Sequence, residues 1–254
     1  MKLDCVLTAT NDIPLYSDFI PIFVKTWKKL HPDVDIKIVY IAENLPEKYK
    51  EYKEHIIMFP PIEGLKTSFT AQYIRLLYPC LLEYENGVLI TDMDMLPLST
   101  TYYTDLSECS NNNFACFRRE LITKKGTHIN QLPICYNIAT PSIWSQVFNV
   151  KTMEDLKETL ISYRKTRQRW CTDQSSLYTS VMKWNAETGN YIPLMKTGGR
   201  RLDFPRKGNI DYSLSNITKN TISQGGYTDF HCPRPYEKYK ELIDEVYDLL
   251  LSAN

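Results

Sequence analysis

The chain has 254 residues, enough for one large α/β domain with a well-buried core. Its 30 lysines and arginines balance 30 aspartates and glutamates, which excludes a whole-molecule field that would draw it to nucleic acid or anionic lipid; any phosphate binding must be local. The seven cysteines are scattered and never spaced C-x-x-C, against a zinc site or disulfide framework, and no apolar run reaches the roughly 18 residues of a membrane span.

The opening run of apolar residues is broken by Asp4, which fits a first strand over residues 3–8 better than a signal peptide, and a soluble, cytoplasmic protein is the expectation. A helix over 19–30 follows, stopped by His31-Pro32, and then a strand over 36–41. A short charged helix near 46–54 and a strand over 55–59 lead to Pro60-Pro61 and Gly64, which force a loop. Thr67 or Ser68 can cap the next helix, where Ile74, Leu77, Tyr78 and Leu81 recur at helical spacing. Val88 to Thr91 reads as a central buried parallel strand and runs directly into Asp92-Met93-Asp94. Alternating strands and helices predict a mostly parallel sheet covered on both faces.

Beyond residue 100 the pattern loosens. Strands are expected at 114–117 and 134–139, a loop around Gly126, and helices at 153–163 and 174–184. Residues 198–226 hold many of the glycines and little periodicity, so they are expected to form a long ordered loop or partial lid. A final helix is marked by the stripe Tyr239, Leu242, Ile243, Val246, Leu249 and Leu250.

The acidic pair carries the chemistry. In an extended chain, residues i and i+2 share a side and lie about 6.6 Å apart, so Asp92 and Asp94 would converge on one ion while Met93 and Met95 face away. Hard oxygen ligands suit Mg²⁺ or Mn²⁺, which are held by one or two carboxylates together with waters and substrate phosphates. In open α/β sheets the ligand lies outside the carboxyl ends of the strands, where this pair falls. Haloacid-dehalogenase phosphatases also place D-x-D after an apolar strand. There, however, the motif opens the domain, and this chain lacks a downstream Asp-Asp pair. A non-catalytic binder of sugars or nucleotides is a further alternative.

Tyr73-Ile74-Arg75-Leu76-Leu77-Tyr78-Pro79, the apolar strand and Thr91-Asp92-Met93-Asp94 together resemble a stretch of the glycogenin-like and lipopolysaccharide-galactosyltransferase-like enzymes. Tyr136-Asn137, Asp173-Gln174, and His231 with Arg234-Pro235-Tyr236 follow in the family's order. The resemblance implies a GT-A, Rossmann-like α/β fold over residues 1–254, with a nucleotide-binding part at about 1–100 and an acceptor-side part at about 101–254. It implies metal-dependent transfer of a sugar, with retention favoured, from a nucleotide diphosphate (a UDP-sugar is expected) to a glycan or other hydroxyl acceptor.

By the same resemblance Thr8, Ala9, Thr10 and Asn11, with Tyr16 beside them, would hold the nucleoside. Arg75 would contact the donor or an acidic metal ligand, and Asp92, Met93 and Asp94 would form the metal and diphosphate segment. His231 would be the third metal ligand. Asp173 would bond sugar hydroxyls, Gln174 would lie beneath the anomeric carbon, and Asn137 would line the same pocket. Asp173 also reads as a helix N-cap, and Asp173, Asp203 or Asp229 as a general base. One or two of Arg200, Arg201, Arg206 and Lys207 could close over the diphosphate, whereas Arg164, Lys165, Arg167 and Arg169 read as solvated charges.

Overall fold

The computed structural model describes residues 1–117, 130–166, 172–194, 199–204 and 212–252. The expected loop at Gly126 and the basic residues Arg167, Arg169, Arg206 and Lys207 lie outside the described residues.

In chain order the elements begin β1 (Leu3–Asn11), α1 (Pro14–Ser17), α2 (Ile20–Leu30), β2 (Asp35–Ile41), β3 (Ile56–Phe59), α3 (Thr67–Leu77), β4 (Gly87–Ile90) and β5 (Met95–Pro97). Then come β6 (Phe114–Cys116), β7 (Asn137–Ala139), α4 (Pro141–Phe148), α5 (Met153–Thr166), α6 (Thr172–Thr188), β8 (Tyr191–Pro193), β9 (Arg201–Asp203), α7 (Asn216–Ser223), β10 (Asp229–His231) and α8 (Tyr236–Ser252). Short 3₁₀ helices occupy Glu47–His55 and Tyr78–Leu81.

Seven strands form the main sheet in the order β3-β2-β1-β4-β7-β6-β8. It is mostly parallel: only β4 with β7 and β6 with β7 run antiparallel. β1 sits between β2 and β4, so both faces and both edges are covered. Its pairing with β2 runs through Asn11 and Ile41, which carries the strand three residues past its expected end at Thr8.

Alternation along the strands divides the core by face. Val6, Ile36, Ile38 and Leu89 pack towards α2 and α8, while Cys5, Leu7, Val39, Val88 and Ile90 pack towards α3, α4 and α6. The first of these clusters continues into a second, three-stranded sheet, β5-β10-β9, through Met95, Leu96, Leu202 and Phe230.

Several expectations are corrected. Lys66, not Thr67 or Ser68, stands at the N-cap of α3, and it makes no side-chain cap. Thr67 is the first helical residue, and its hydroxyl accepts from Asn11 Nδ2 at 3.0 Å instead. Tyr78 and Leu81 fall in the 3₁₀ turn beyond the helix, partly buried. The expected loop at 198–226 contains β9 and α7: β9 forms because β10 lies alongside it, and Ser215 caps α7 by accepting from Thr218 N at 3.2 Å. The stripe on the last helix does face the core, with Leu242, Ile243, Val246 and Leu250 buried.

Candidate functional site

β4 ends at Ile90, and Thr91 N is held by Leu7 O at 3.1 Å. The chain then turns instead of continuing extended: Met95 N donates to Asp92 O at 3.2 Å. Met93 and Met95 are buried and anchor the turn. The turn aims the two carboxylates at different partners, so the extended i, i+2 geometry expected for Asp92 and Asp94 is replaced by two separate ion-pair clusters.

The first cluster centres on Arg75, one turn from the end of α3. One guanidinium nitrogen pairs with Asp92 Oδ1, the other donates to Asp173 Oδ2 at 3.0 Å, and Nε donates to Gln72 O at 3.2 Å. Cys135 Sγ donates to the second Asp92 oxygen at 3.1 Å. Burial pushes the Asp92 carboxyl up, but the Arg75 charge, the Cys135 hydrogen bond and nearby His231 together outweigh it and hold the group below the usual carboxylate range. Burial likewise opposes charge on Arg75, and its two carboxylates reverse the effect. Asp173 lies in the first turn of α6, so its carboxylate serves Arg75 and Gln174 N (2.9 Å) rather than standing at the N-cap.

The second cluster depends on strand pairing. β10 runs antiparallel to β5 with His231 opposite Met95, and Cys232 N donates to Asp94 O at 2.9 Å. Asp94, only 2% exposed, therefore has His231 Nε2 at 3.5 Å and Arg234 Nε at 3.2 Å from Oδ2. His231 Nδ1 faces Asp203 Oδ1 at 3.3 Å. Arg234 also donates to the Tyr16 hydroxyl and lies over that ring, 4.9 Å from its centroid.

Both clusters open onto a cleft of about 400 Å³ at the carboxyl ends of β1 and β4. Ala9, Thr10, Asn11 and Tyr16 line one end, and Gln174 stands beside Asp173 at another part of the wall. Three carboxylates (Asp92, Asp94, Asp173) meet three guanidiniums (Arg75, Arg201, Arg234) there. Arg201 Nε donates to the buried Asp229 at 3.3 Å, and Asp229 also accepts from the Tyr136 hydroxyl at 2.9 Å.

Two expected residues sit behind the cleft. Thr8 is fully buried within β1. Asn137 is fully buried too; its amide donates to Pro133 O at 2.6 Å and Ile134 O at 2.8 Å, bracing the Pro133–Cys135 segment that does form the wall. Asp229, locked in its own network, likewise lies below the cleft. Cys135 carries no signal in the sequence, because no spacing in the chain links it to Asp92; Gln72 lies one helical turn before Arg75 and meets it through its backbone carbonyl, a contact any residue type would offer.

Among the described residues no three His, Cys, Asp or Glu side chains are gathered as a ready-made metal cage. Asp92, Asp94 and His231 all line the cleft, but Arg75 holds Asp92 aside, and Asp94 with His231 is the pair in contact. One carboxylate oxygen and one imidazole nitrogen still fit Mg²⁺ or Mn²⁺, whose remaining positions waters and substrate phosphates would complete.

No protein-family model and no curated protein sequence matches the chain. Solved structures do. A glycosyltransferase involved in glycosylation of the major capsid of PBCV-1 aligns at TM-score 0.51 and 13% identity, over 95% of this chain and 98% of that one. An active-site mutant of LgtC aligns at TM-score 0.50 and 12% identity, over 96% and 95%. The bifunctional glycosyltransferase WbbM aligns at TM-score 0.50 and 11% identity, over 98% of this chain and 50% of that one. The fold of this chain is that of the GT-A glycosyltransferases.

Proposed function

We propose that the chain is a glycosyltransferase that takes a sugar from a nucleotide diphosphate donor, with a UDP-sugar as the expected donor, and passes it to a hydroxyl of a glycan or other acceptor. The observation that carries this reading is the meeting of Asp94 and His231 with three guanidiniums in one cleft at the strand ends of a GT-A fold.

Ala9, Thr10 and Asn11 are placed for the nucleoside, at the end of β1. Asp94 and His231 would hold Mg²⁺ or Mn²⁺, with Asp92 beside them. A bound divalent cation supplies Lewis-acid stabilisation of the departing diphosphate, worth several kcal/mol. Arg201 and Arg234 add fixed positive charge where the leaving group gains negative charge. Arg75 holds the Asp173 carboxylate, which would bond sugar hydroxyls, with Gln174 next to it on the cleft wall.

Retention is the proposed stereochemical outcome. Each of the three cleft carboxylates already accepts from an arginine, so none is a ready proton acceptor for an inverting attack, while Gln174 offers a neutral polar group.

Thermal shift and nucleotide release, measured with UDP-, GDP- and dTDP-sugars with and without Mn²⁺, test the reading. A metal-dependent response to one of these donors is expected; silence across the panel would overturn it. Donor binding without nucleotide release, whatever the acceptor, would instead identify a non-catalytic binder. Asp94→Ala should reduce transfer by a factor of a hundred or more, on the order of 3 kcal/mol in the barrier, while circular dichroism still shows a folded protein at the assay temperature. Proton NMR of the first-formed product reads the anomer.

A further inference from the structure

The cleft carries its own counter-ions. Arg234, partly buried, sets Nε 3.2 Å from Asp94 Oδ2 while one of its terminal nitrogens donates to the Tyr16 hydroxyl and the guanidinium lies over the Tyr16 ring. Asp94 is almost wholly buried, and His231 and this guanidinium are the cationic groups set against its Oδ2 among the described residues. The remaining cleft cations, Arg75 and Arg201, are committed to other carboxylates.

We infer that Arg234 is the resident counter-ion of Asp94: it takes the place a divalent cation must occupy and releases it only when a diphosphate arrives to receive the guanidinium. The inference rests on the donor-site reading above. A cation entering alone must displace Arg234 from a buried carboxylate and leave a guanidinium facing that cation and Arg201 with no anion to pair with, which is unfavourable in a poorly hydrated site. A diphosphate changes the exchange. The guanidinium then moves from a carboxylate to a phosphate, keeping charge-assisted hydrogen bonds throughout. Tyr16 makes the transfer short, since its ring face and hydroxyl hold the guanidinium in the cleft that Ala9, Thr10 and Asn11 also line. Cation and diphosphate are thereby coupled, and by linkage each raises the other's affinity by the same factor.

The test is Mn²⁺ binding to the full chain, followed through the loss of the free-ion electron paramagnetic signal, with and without UDP, for the parent, Arg234→Gln and Arg234→Lys. In the parent, saturating UDP should tighten Mn²⁺ binding by about tenfold or more. Arg234→Gln should bind Mn²⁺ alone about tenfold more tightly than the parent, and the tightening that UDP brings should shrink by the same factor, to what the phosphate ligands alone supply. Arg234→Lys keeps the charge and should behave like the parent. Should the glutamine variant fail to fold by circular dichroism, Arg234→Met, whose stem still packs on Tyr16, replaces it. A folded neutral variant whose nucleotide-free Mn²⁺ affinity equals or falls below the parent's overturns the inference while leaving the donor site standing. A parent that binds no Mn²⁺ even with UDP overturns the donor-site reading and the inference with it.

Discussion

Arg75 bridges Asp92 and Asp173, two carboxylates from separate elements that would repel each other without it. Its side chain is only 12% exposed, and removing one partner of a buried ion pair leaves uncompensated charge. Arg75→Ala should therefore destabilise the protein by about 3 kcal/mol, the low end for such a loss because water reaches Asp92, and urea unfolding measures it. A loss under about 1 kcal/mol would mean that the carboxylates are solvated after all. His31 is a second residue with a readable consequence. It is buried against Trp27 and Tyr103, its Nε2 lies 3.1 Å from Ser99 O, and burial lowers its pKa to about 4. The unfolded chain takes up this proton near pH 6.5 and the folded one near 4, so the contribution is complete above 6.5 and is lost as pH falls between those values. Between pH 7.5 and 5 the parent should lose about 2 kcal/mol more than His31→Gln. Parallel losses would refute this. At this scale the acidic and histidine members of the cleft could be read from order along the chain, because each follows a recognisable local pattern. Cys135 could not, since only the fold brings it to Asp92, 43 residues away in the chain.

The elements differ in how much of their cause is local. α4 begins with Thr140-Pro141, a capping residue followed by a proline suited to the first turn, so its start has a local cause. Thr140 Oγ1 accepts from Ile143 N at 3.3 Å, and Thr140→Ala should cost about 1 kcal/mol, while Thr140→Ser should recover most of it in thermal or urea melts. β5, β8, β9 and β10 are each three residues long, too short for any period to register, and they exist because distant partners pair with them. The same tertiary pairing explains why Asp92 and Asp94 were expected on an extended chain but lie on a turn: β5 must reverse into the second sheet to meet β10. Gly87 shows the opposite case, a single residue chosen by packing. A Cβ there would stand 2.5 Å from Ile138 Cδ1 on the neighbouring strand, so Gly87→Val should cost about 1–3 kcal/mol unless Ile138 rotates away. The double variant with Ile138→Ala separates these outcomes, because a clash is relieved by the second change and a backbone requirement is not.

At the scale of the molecule the cleft lies on the seam between two sheets. Residues from the main sheet (Ala9, Thr10, Asn11) and from the smaller one (Met95, Arg201, His231) face the same space, and the turn at Asp92–Met95 is one of the covalent links between them. The apolar cluster beneath is shared by both sheets, so the seam is packed below and polar above. A ligand in the cleft should consequently tie the sheets together at the top, where the ligand-free protein relies on Asp94 with His231 and on Cys232 N with Asp94 O. Under saturating UDP and Mn²⁺, amide hydrogen exchange should slow in Thr91–Met95 and Asp229–Cys232 together. A hundredfold excess over the dissociation constant adds about 2.7 kcal/mol to global stability, the largest extra protection that globally exchanging amides can show. Amides of α4 and α5, which contribute no residue to the cleft lining, should change only through that global term. Slowing confined to the main sheet would place the ligand on β1 alone and detach His231 from the site. Slowing in both segments with Asp94→Ala abolishing it would locate the ligand on the seam, with the strand-end aspartate as the group through which both sheets sense it.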